Sequence, residues 1–325
     1  MLSGSVYEYF AIILPAILLD RIIGDPPSWP HPVKYIGTLL NIVQPRARKL
    51  VANPFYAGIA ATILALFIVS AIATALLSLP GFLHYLVAVY LGFSGLALGQ
   101  LVREGRCALA LLEAGDIPGA RTAVSYLVSR DVSNADIPEL SRVLAETLSE
   151  NFNDAFVAPL FWFVIGGPVG LWLYKTVSTM DSMWGYTHEP WTRFGTFAAR
   201  LDDVLAFIPA RLTVLILAVK TKLPGSNNDI NPGPRWPGFS KIKNDAKKMK
   251  SPNAGWPMAA TAWIFRGTMG GKAIYAGEIV NKPILGPEGE PWTVKKLEDL
   301  LGTISISGFG WAIVFSLCIA LIRWL

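Results

Sequence analysis

Acidic side chains and an asparagine stand directly before the most interrupted apolar segment of the chain. Glu150, Asn151 and Asp154 precede a run from Ala155 to Tyr174 that carries no charged residue. Carboxylate oxygens bind Mg²⁺, and a carboxylate can also act as a general base. A solvated face of an ordinary amphipathic helix would contain the same acids. Because these acids lie beside a membrane-like segment, a polar site at the membrane boundary is as good an interpretation as a solvated helix face.

A second acidic group lies between residues 179 and 213. Asp181, Asp202 and Asp203 occur there together with Arg200 and Arg211. Arg211 falls inside a weakly apolar segment, where a charge is costly and is usually functional or paired. We therefore expect one of the three aspartates to be the partner of Arg211.

These two acidic groups can share one site only if the segment between them does not cross the membrane. A single helix over 155–177 would put Asp154 and Asp181 on opposite faces of a bilayer. The sequence Gly166-Gly167-Pro168 interrupts this segment. Broken helices are tolerated in membranes where they line a polar cavity. We therefore expect two half-helices, or a segment that enters and returns.

Two short loops hold further polar residues on stiff backbone. Asp25 and His31 flank a proline-rich stretch that follows the first apolar segment. Proline fixes φ, so a ligand would find these side chains already ordered, although a simple helix-exit turn is an equally good interpretation. Asn253 lies in the turn-rich stretch SPNAGWP, which leads into a helix whose N-terminus favours an anion.

Composition predicts an all-α, polytopic integral membrane protein. The chain has 325 residues, of which 53% are hydrophobic and 16% charged, whereas soluble domains carry about 25% charged residues. We expect about five or six transmembrane or re-entrant helical segments with sizeable helical cytoplasmic loops. The candidate segments are 5–23, 57–79, 82–102, 155–177, 204–221 and 303–322. Together they predict a single membrane-embedded domain over 1–325, in which polar loop regions 103–154 and 222–302 contribute to the site.

The distribution of Lys and Arg predicts the orientation. Loops 24–56, 103–154 and 222–302 contain four, five and twelve of these residues, and the connection at Pro80-Gly81 contains none. The positive-inside rule then places these loops in the cytoplasm and the N-terminus outside, in a multi-pass protein of the cell membrane. The net charge of +5 follows from this bias, so we expect no nucleic-acid partner. Residues 267–272 do not have Walker A spacing.

Several blocks together resemble one family. They include LDRIIGDP, HPVKYIG, ENFND, MDSMWGY, FGTFAARLDDVLAFIPARLT and SPNAGWP. In these blocks the chain is similar to the adenosylcobinamide-phosphate synthase family of cobalamin biosynthesis, the CobD/CbiB membrane proteins. The resemblance runs from about Leu18 to Gly286. The chain departs from the usual family pattern at Ser129, Val132, Phe152 and Ser178.

The resemblance implies a ligase that forms a carbon–nitrogen amide bond. Its substrates would be a propionate carboxylate of adenosylcobyric acid and aminopropanol or aminopropanol O-phosphate. ATP and Mg²⁺ are the implied cofactors, and the corrinoid is a substrate rather than a cofactor. Further partners would be the lipid bilayer and other membrane enzymes of nucleotide-loop assembly.

This chemistry assigns expected roles to the polar residues. Five acids are the catalytic candidates: Asp154, Glu150, Asp181, Asp202 and Asp203. Three of these acids are the candidate Mg²⁺ ligands: Asp154, Asp181 and Asp202. Substrate binding is expected from residues that pair with phosphate, carboxylate or amide groups or that stack: Asp25, His31, Arg130, Asp131, Arg142, Asn151, Arg200, Arg211, Asn253 and Trp256.

Three questions stay open at this point. The sequence does not say whether the amine is phosphorylated, nor which acid holds metal and which acts as base. A non-catalytic sensor or regulatory relative is an alternative, because fold alone does not imply activity. A corrinoid transporter is another, although most of the motifs lie in loops rather than at mid-membrane positions.

Overall fold

The computed structural model describes residues 6–25, 29–186, 190–219, 221, 233–275 and 277–324. The proline-rich stretch after Asp25 lies partly outside them, at 26–28, as does the beginning of the expected loop 222–302, at 222–232. Thirteen α-helices are described: α1 Val6–Ile22, α2 Pro32–Leu50, α3 Pro54–Leu77, α4 Phe82–Gly95, α5 Leu98–Glu113, α6 Ile117–Ser125, α7 Ile137–Phe152, α8 Ala158–Trp184, α9 Thr196–Leu205, α10 Phe207–Ala218, α11 Phe239–Ala246, α12 Gly255–Ile264 and α13 Val294–Trp324. A π-helix, Asn153–Val157, joins α7 to α8, and strands β1 (Met269–Tyr275) and β2 (Glu278–Leu285) form an antiparallel hairpin.

The helical membrane architecture predicted from composition is confirmed. Within the described residues, four helical stretches are long and apolar enough to cross a membrane: Pro54–Leu77, Phe82–Glu113, Ile137–Trp184 and Val294–Cys318. The expected segments 5–23 and 204–221 correspond to the shorter helices α1 and α10. The hairpin β1–β2 is an addition that the all-α prediction did not contain.

The chain folds into two compact units. Unit 1 comprises residues 1–97, 154–206 and 312–325, and unit 2 comprises residues 98–153 and 207–311. The prediction of a single membrane-embedded domain stays a prediction.

In unit 1, helix α3 shows how a membrane helix packs without a polar face. Ala57, Ala61 and Ala65 recur every fourth residue and are fully buried, so that neighbouring backbones approach closely. On the other side of the helix, Ile63 and Phe67 are 57% and 69% exposed. Large apolar side chains left outside a packed core are expected where lipid is the solvent.

Helix α8 reverses direction at the Gly-Gly-Pro sequence. Gly167 has φ +63° and ψ −162°, a backbone conformation that side-chain-bearing residues almost never adopt. A Cβ atom at Gly170 would lie 2.7 Å from the carbonyl oxygen of Trp162. In a straight helix, residues eight positions apart are separated by about 12 Å along the axis. The chain therefore folds back, and α8 consists of two closely packed arms.

In unit 2, helix α7 is the central buried element. Asp136 caps its N-terminus by accepting a 2.9 Å hydrogen bond from the Glu139 amide, and Pro138 occupies the first turn. Leu140, Leu144 and Leu148 are fully buried along one face. The hairpin β1–β2 docks against this helix through polar contacts that belong to the site.

Candidate functional site

The structure divides the residues predicted from the sequence between the two units. Unit 1 contains Asp25, His31, Asp154, Asp181, Arg200, Asp202 and Asp203. Unit 2 contains Arg130, Asp131, Arg142, Glu150, Asn151, Arg211, Asn253 and Trp256.

The reversal of α8 brings the acids before and after it within range of one common carboxylate. Asp154 lies 13 positions before Gly167, and Asp181 lies 14 positions after it. A straight helix would separate these carboxylates by about 40 Å. In the folded chain the charges of both act on the same third carboxylate, Asp202. The expectation of two half-helices therefore agrees with the structure, whereas entry into and return from a membrane stays a prediction. Asp154 itself lies on a π-helix, a feature frequent at functional sites.

Asp202 is the most perturbed of these acids. Its side chain projects from α9, and its Oδ1 atom is buried without a hydrogen-bond partner. Burial, followed by the nearby charges of Asp154, Asp181 and Asp203, raises the pKa of Asp202 to about 8. A buried carboxylate among like charges needs either a proton or a cation, so this position suits proton transfer or metal binding.

Asp203 and Arg200 occupy the outer side of the same helix. Burial raises the pKa of Asp203, and the opposite charge of Arg200 acts against that shift. The Arg200 Nη1 atom lies 3.7 Å from the Asp203 Oδ2 atom, and the Arg200 side chain is 79% exposed. This arginine is therefore a solvated group at the rim of the acids.

His31 and Asp25 form a second polar pair in unit 1. The His31 Nδ1 atom accepts a 3.2 Å hydrogen bond from the Val33 amide and so caps α2, which leaves the Nε2 atom facing Asp25 Oδ2 at 3.5 Å. Burial lowers the pKa of His31, Asp25 raises it, and Lys175 lowers it again. The net lowering keeps this imidazole neutral at pH 7.

Tyr174 and Lys175 join these groups, and sequence reasoning did not assign a role to either. The Tyr174 side chain is buried within electrostatic range of Asp154, Asp181 and Asp202. Lys175 is within range of Asp154 and Asp25. The missed signal was a lysine inside an apolar segment, because a charge there is expensive and marks a functional position by default. We call the following set the unit 1 cluster: Asp25, His31, Asp154, Tyr174, Lys175, Asp181, Asp202 and Asp203.

Unit 2 contains a buried ion pair between Arg130 and Glu146. The Arg130 Nη2 atom donates to Glu146 Oε2, and both side chains are more than nine-tenths buried. The Glu146 Oε1 atom also accepts a 2.8 Å hydrogen bond from the Gly270 amide. The pair therefore ties α7 to β1. Arg142 adds to this link by donating to the carbonyl oxygens of Gly270 and Lys272.

The expected partner of Arg211 was wrong. Its guanidinium donates to the Asn253 Oδ1 atom at 2.8 Å and to the Pro252 carbonyl oxygen at 3.3 Å. It also stacks over the rings of Phe207, at 3.5 Å, and Trp256, at 4.7 Å. Hydrogen bonds and aromatic faces therefore satisfy this cation.

The other predicted residues of unit 2 surround α7. Asn151 donates a 3.0 Å hydrogen bond to the Thr147 hydroxyl. Glu150 is half-buried within electrostatic range of Lys282 and Arg130. Asp131 is exposed, and the hydrogen bond from the Ser133 amide lowers its pKa. Their roles in substrate binding or catalysis stay predictions.

The donor chemistry of the unit 1 cluster fits Mg²⁺, although the ligand set is incomplete. Within the described residues, no group of three or more His, Cys, Asp or Glu side chains is arranged to hold a metal ion. Mg²⁺ usually takes only one or two protein carboxylates and completes its shell with water and substrate phosphates. The unpaired Asp202 Oδ1 atom, with Asp154 and Asp181 in range, meets that requirement.

Comparison with known proteins places the chain in a family. A family model described as "CobD/Cbib protein" matches residues 13–304. A "Cobalamin biosynthesis protein CobD" from Geobacter metallireducens is 36% identical over 289 residues, which cover 87% of this chain and 88% of the relative. A protein with the same name from Pelobacter propionicus is 38% identical, and the match covers 85% of this chain and 84% of the relative. Another from Klebsiella pneumoniae is 33% identical, and the match covers 95% of this chain and 96% of the relative. No solved structure matches the chain. The matched residues include both acid groups and the Asn253 loop, and the chain belongs to the CobD/CbiB family of cobalamin biosynthesis proteins.

Proposed function

We propose that the chain forms an amide between a propionate carboxylate of adenosylcobyric acid and the amine of aminopropanol or aminopropanol O-phosphate, with cleavage of ATP. Membership in a cobalamin biosynthesis family supports the corrinoid substrate. The observation that carries the reaction is the convergence of Asp154, Asp181 and Asp202 in unit 1. Amide synthesis needs both a proton acceptor and a place for a metal–phosphate group, and carboxylates supply both.

The amine substrate explains why a proton acceptor is needed. At neutral pH an alkylamine is protonated, and only the free amine has a lone pair to attack a carboxyl carbon. One carboxylate of the unit 1 cluster, in its ionised form, accepts this proton. Amide formation then joins nitrogen to carbon, while one carboxylate oxygen leaves with the phosphoryl group.

Mg²⁺ would be held by Asp154, Asp181 and Asp202. When bound, Mg-ATP supplies the activation that turns the carboxylate into an electrophile. The protein must also neutralise the accumulated negative charge and keep water out of this step. The buried Tyr174 side chain on the apolar helix α8 helps to keep water out.

The membrane is part of the proposal. Adenosylcobyric acid is large and amphiphilic, and a site beside apolar helices receives it from the aqueous side while the bilayer supports its apolar parts. Product released at the membrane would pass to other membrane enzymes of nucleotide-loop assembly. The basic loops, which we place in the cytoplasm, would give the site access to ATP.

The proposal is tested by direct synthesis. The protein is purified in detergent and incubated with adenosylcobyric acid, Mg-ATP and each of the two amines, and the amide is measured by mass spectrometry. Asp154→Asn and Asp181→Asn should each lower the rate by about 100-fold or more, because each removes a metal ligand or a base. Glu113→Gln, an exposed acid on α5, is the matched control and should keep the wild-type rate.

Two results would contradict the proposal. Wild-type protein that binds the corrinoid but forms no amide with either amine would favour a sensor or regulatory relative. Loss of product in only one of the two aspartate variants would separate Asp154 from Asp181 and refute a shared site.

A further inference from the structure

We propose that Lys175 binds the oxyanion of a substrate, either a carboxylate or a phosphate, within the unit 1 cluster. The inference rests on the proposed function, since it assigns a substrate group to the same site. It concerns a lysine in the apolar helix α8 to which the sequence alone assigned no role.

Lys175 stands between the two polar groups of unit 1. Its charge acts on His31, and the charges of Asp25 and Asp154 act on it. It follows Tyr174 on the second arm of α8, after the reversal at Gly167. The lysine therefore connects the His31–Asp25 pair with the acids that the reversal brings together.

The ammonium of Lys175 has no direct partner within the part of the chain that the structure describes. Among the described residues, its Nζ atom makes no hydrogen bond and has no carboxylate within ion-pair distance. The side chain is half-buried and projects from an apolar helix. A charged group in such a place is costly unless it is paired. A ligand oxyanion would supply the missing pair.

The charge of the cluster creates the need for such a residue. Asp154, Asp181 and Asp202 repel any anionic substrate that approaches them. The neutral His31 cannot offset this repulsion, and Arg200 extends into solvent beside Asp203. Lys175 is the cation of the cluster that lies beside the acids rather than at their rim.

The test measures binding rather than turnover. Calorimetric titrations in detergent use three ligands: aminopropanol O-phosphate, aminopropanol and adenosylcobyric acid. Lys175→Met should weaken the binding of the ligand whose oxyanion it holds by about 10- to 100-fold, the usual effect of losing a charged hydrogen bond. Lys175→Arg should restore most of this affinity. Lys34→Met is the matched control, because Lys34 also acts on His31 but is exposed on α2.

The ligands distinguish the two sources of the oxyanion. A loss confined to aminopropanol O-phosphate would assign the phosphate, and a loss confined to adenosylcobyric acid would assign the carboxylate. Wild-type affinities for both ligands in Lys175→Met would overturn the inference, and Lys175→Gln provides the same comparison if the methionine variant does not fold. Binding that depends on Lys175 without amide formation would refute the proposed reaction but support the anion site.

Discussion

The reversal of α8 at Gly167 can be tested with substitutions at three nearby glycines. Gly167→Ala forces a side chain onto a backbone with φ +63° and ψ −162°, which costs about 1–3 kcal/mol. Gly170→Ala places a Cβ atom 2.7 Å from the Trp162 carbonyl oxygen, so the two arms must separate. Gly166→Ala meets nothing within 4 Å and has an ordinary helical φ, so it is the matched control. It should be neutral or slightly stabilising.

The assay is equilibrium unfolding in mixed detergent micelles. Gly167→Ala should shift the unfolding equilibrium by roughly 5- to 150-fold relative to Gly166→Ala, which follows from the strain of about 1–3 kcal/mol. Equal stabilities of these two variants would refute the strained turn.

A labelling experiment checks the consequence of the turn. Single cysteines at positions 154 and 181, in a background where the exposed Cys107 and Cys318 are replaced by serine, should react with an impermeant maleimide from the same side of a sealed vesicle. Reaction from opposite sides would refute the return of the chain.

Two further predictions concern buried charge. Glu146→Gln should destabilise the protein by about 3–5 kcal/mol because it leaves the Arg130 guanidinium buried without its counter-ion, and unchanged unfolding would show that the pair is not maintained in solution. Asp202→Asn, measured with EDTA, should remove part of the pH dependence of stability. In the folded state the pKa of Asp202 is about 8, against an ordinary value of 3.8, so the folded chain holds this proton more tightly than the unfolded chain does. The wild type should therefore lose stability relative to the variant as the pH rises from about 4 to about 8, with no further divergence above that range. Parallel pH profiles would contradict the burial of this acid.

The sequence predicted those features that depend on local composition. Uninterrupted apolar runs identified the membrane helices, and Gly166-Gly167-Pro168 indicated a break, because lipid and backbone geometry allow few alternatives. The acids Asp154 and Asp181 were expected to meet only if that break reversed the chain. A local pattern was sufficient for the reversal of α8 because the sequence Gly166-Gly167-Pro168 determines the backbone geometry at that point.

Pairings over long sequence distances could not be predicted in the same way. Arg211 finds Asn253 42 positions away, and Glu146 binds the Gly270 amide 124 positions away. A charge in an apolar segment shows only that some partner exists. Hairpin β1–β2 was missed because its strands, MGGKAIY and EIVNKPIL, lack a clear alternation of apolar and polar residues, and because this region was expected to be loop. Lys175 was missed because the apolar run around it was interpreted only as a membrane segment.

The reversal of α8 also changes the count of membrane crossings in a way that charge bias cannot detect. A segment that returns does not change compartment, and α10, with 12 residues or about 18 Å, is too short for a hydrocarbon layer of about 30 Å. If neither α8 nor α10 crosses the membrane, every later loop stays on the same side as before. The basic stretch before α13 therefore stays on the side that the lysine and arginine counts predict. Only the stretch between α8 and α10 changes sides. That stretch contains Asp202 and Asp203, and with a returning α8 we expect it in the same compartment as the basic loops.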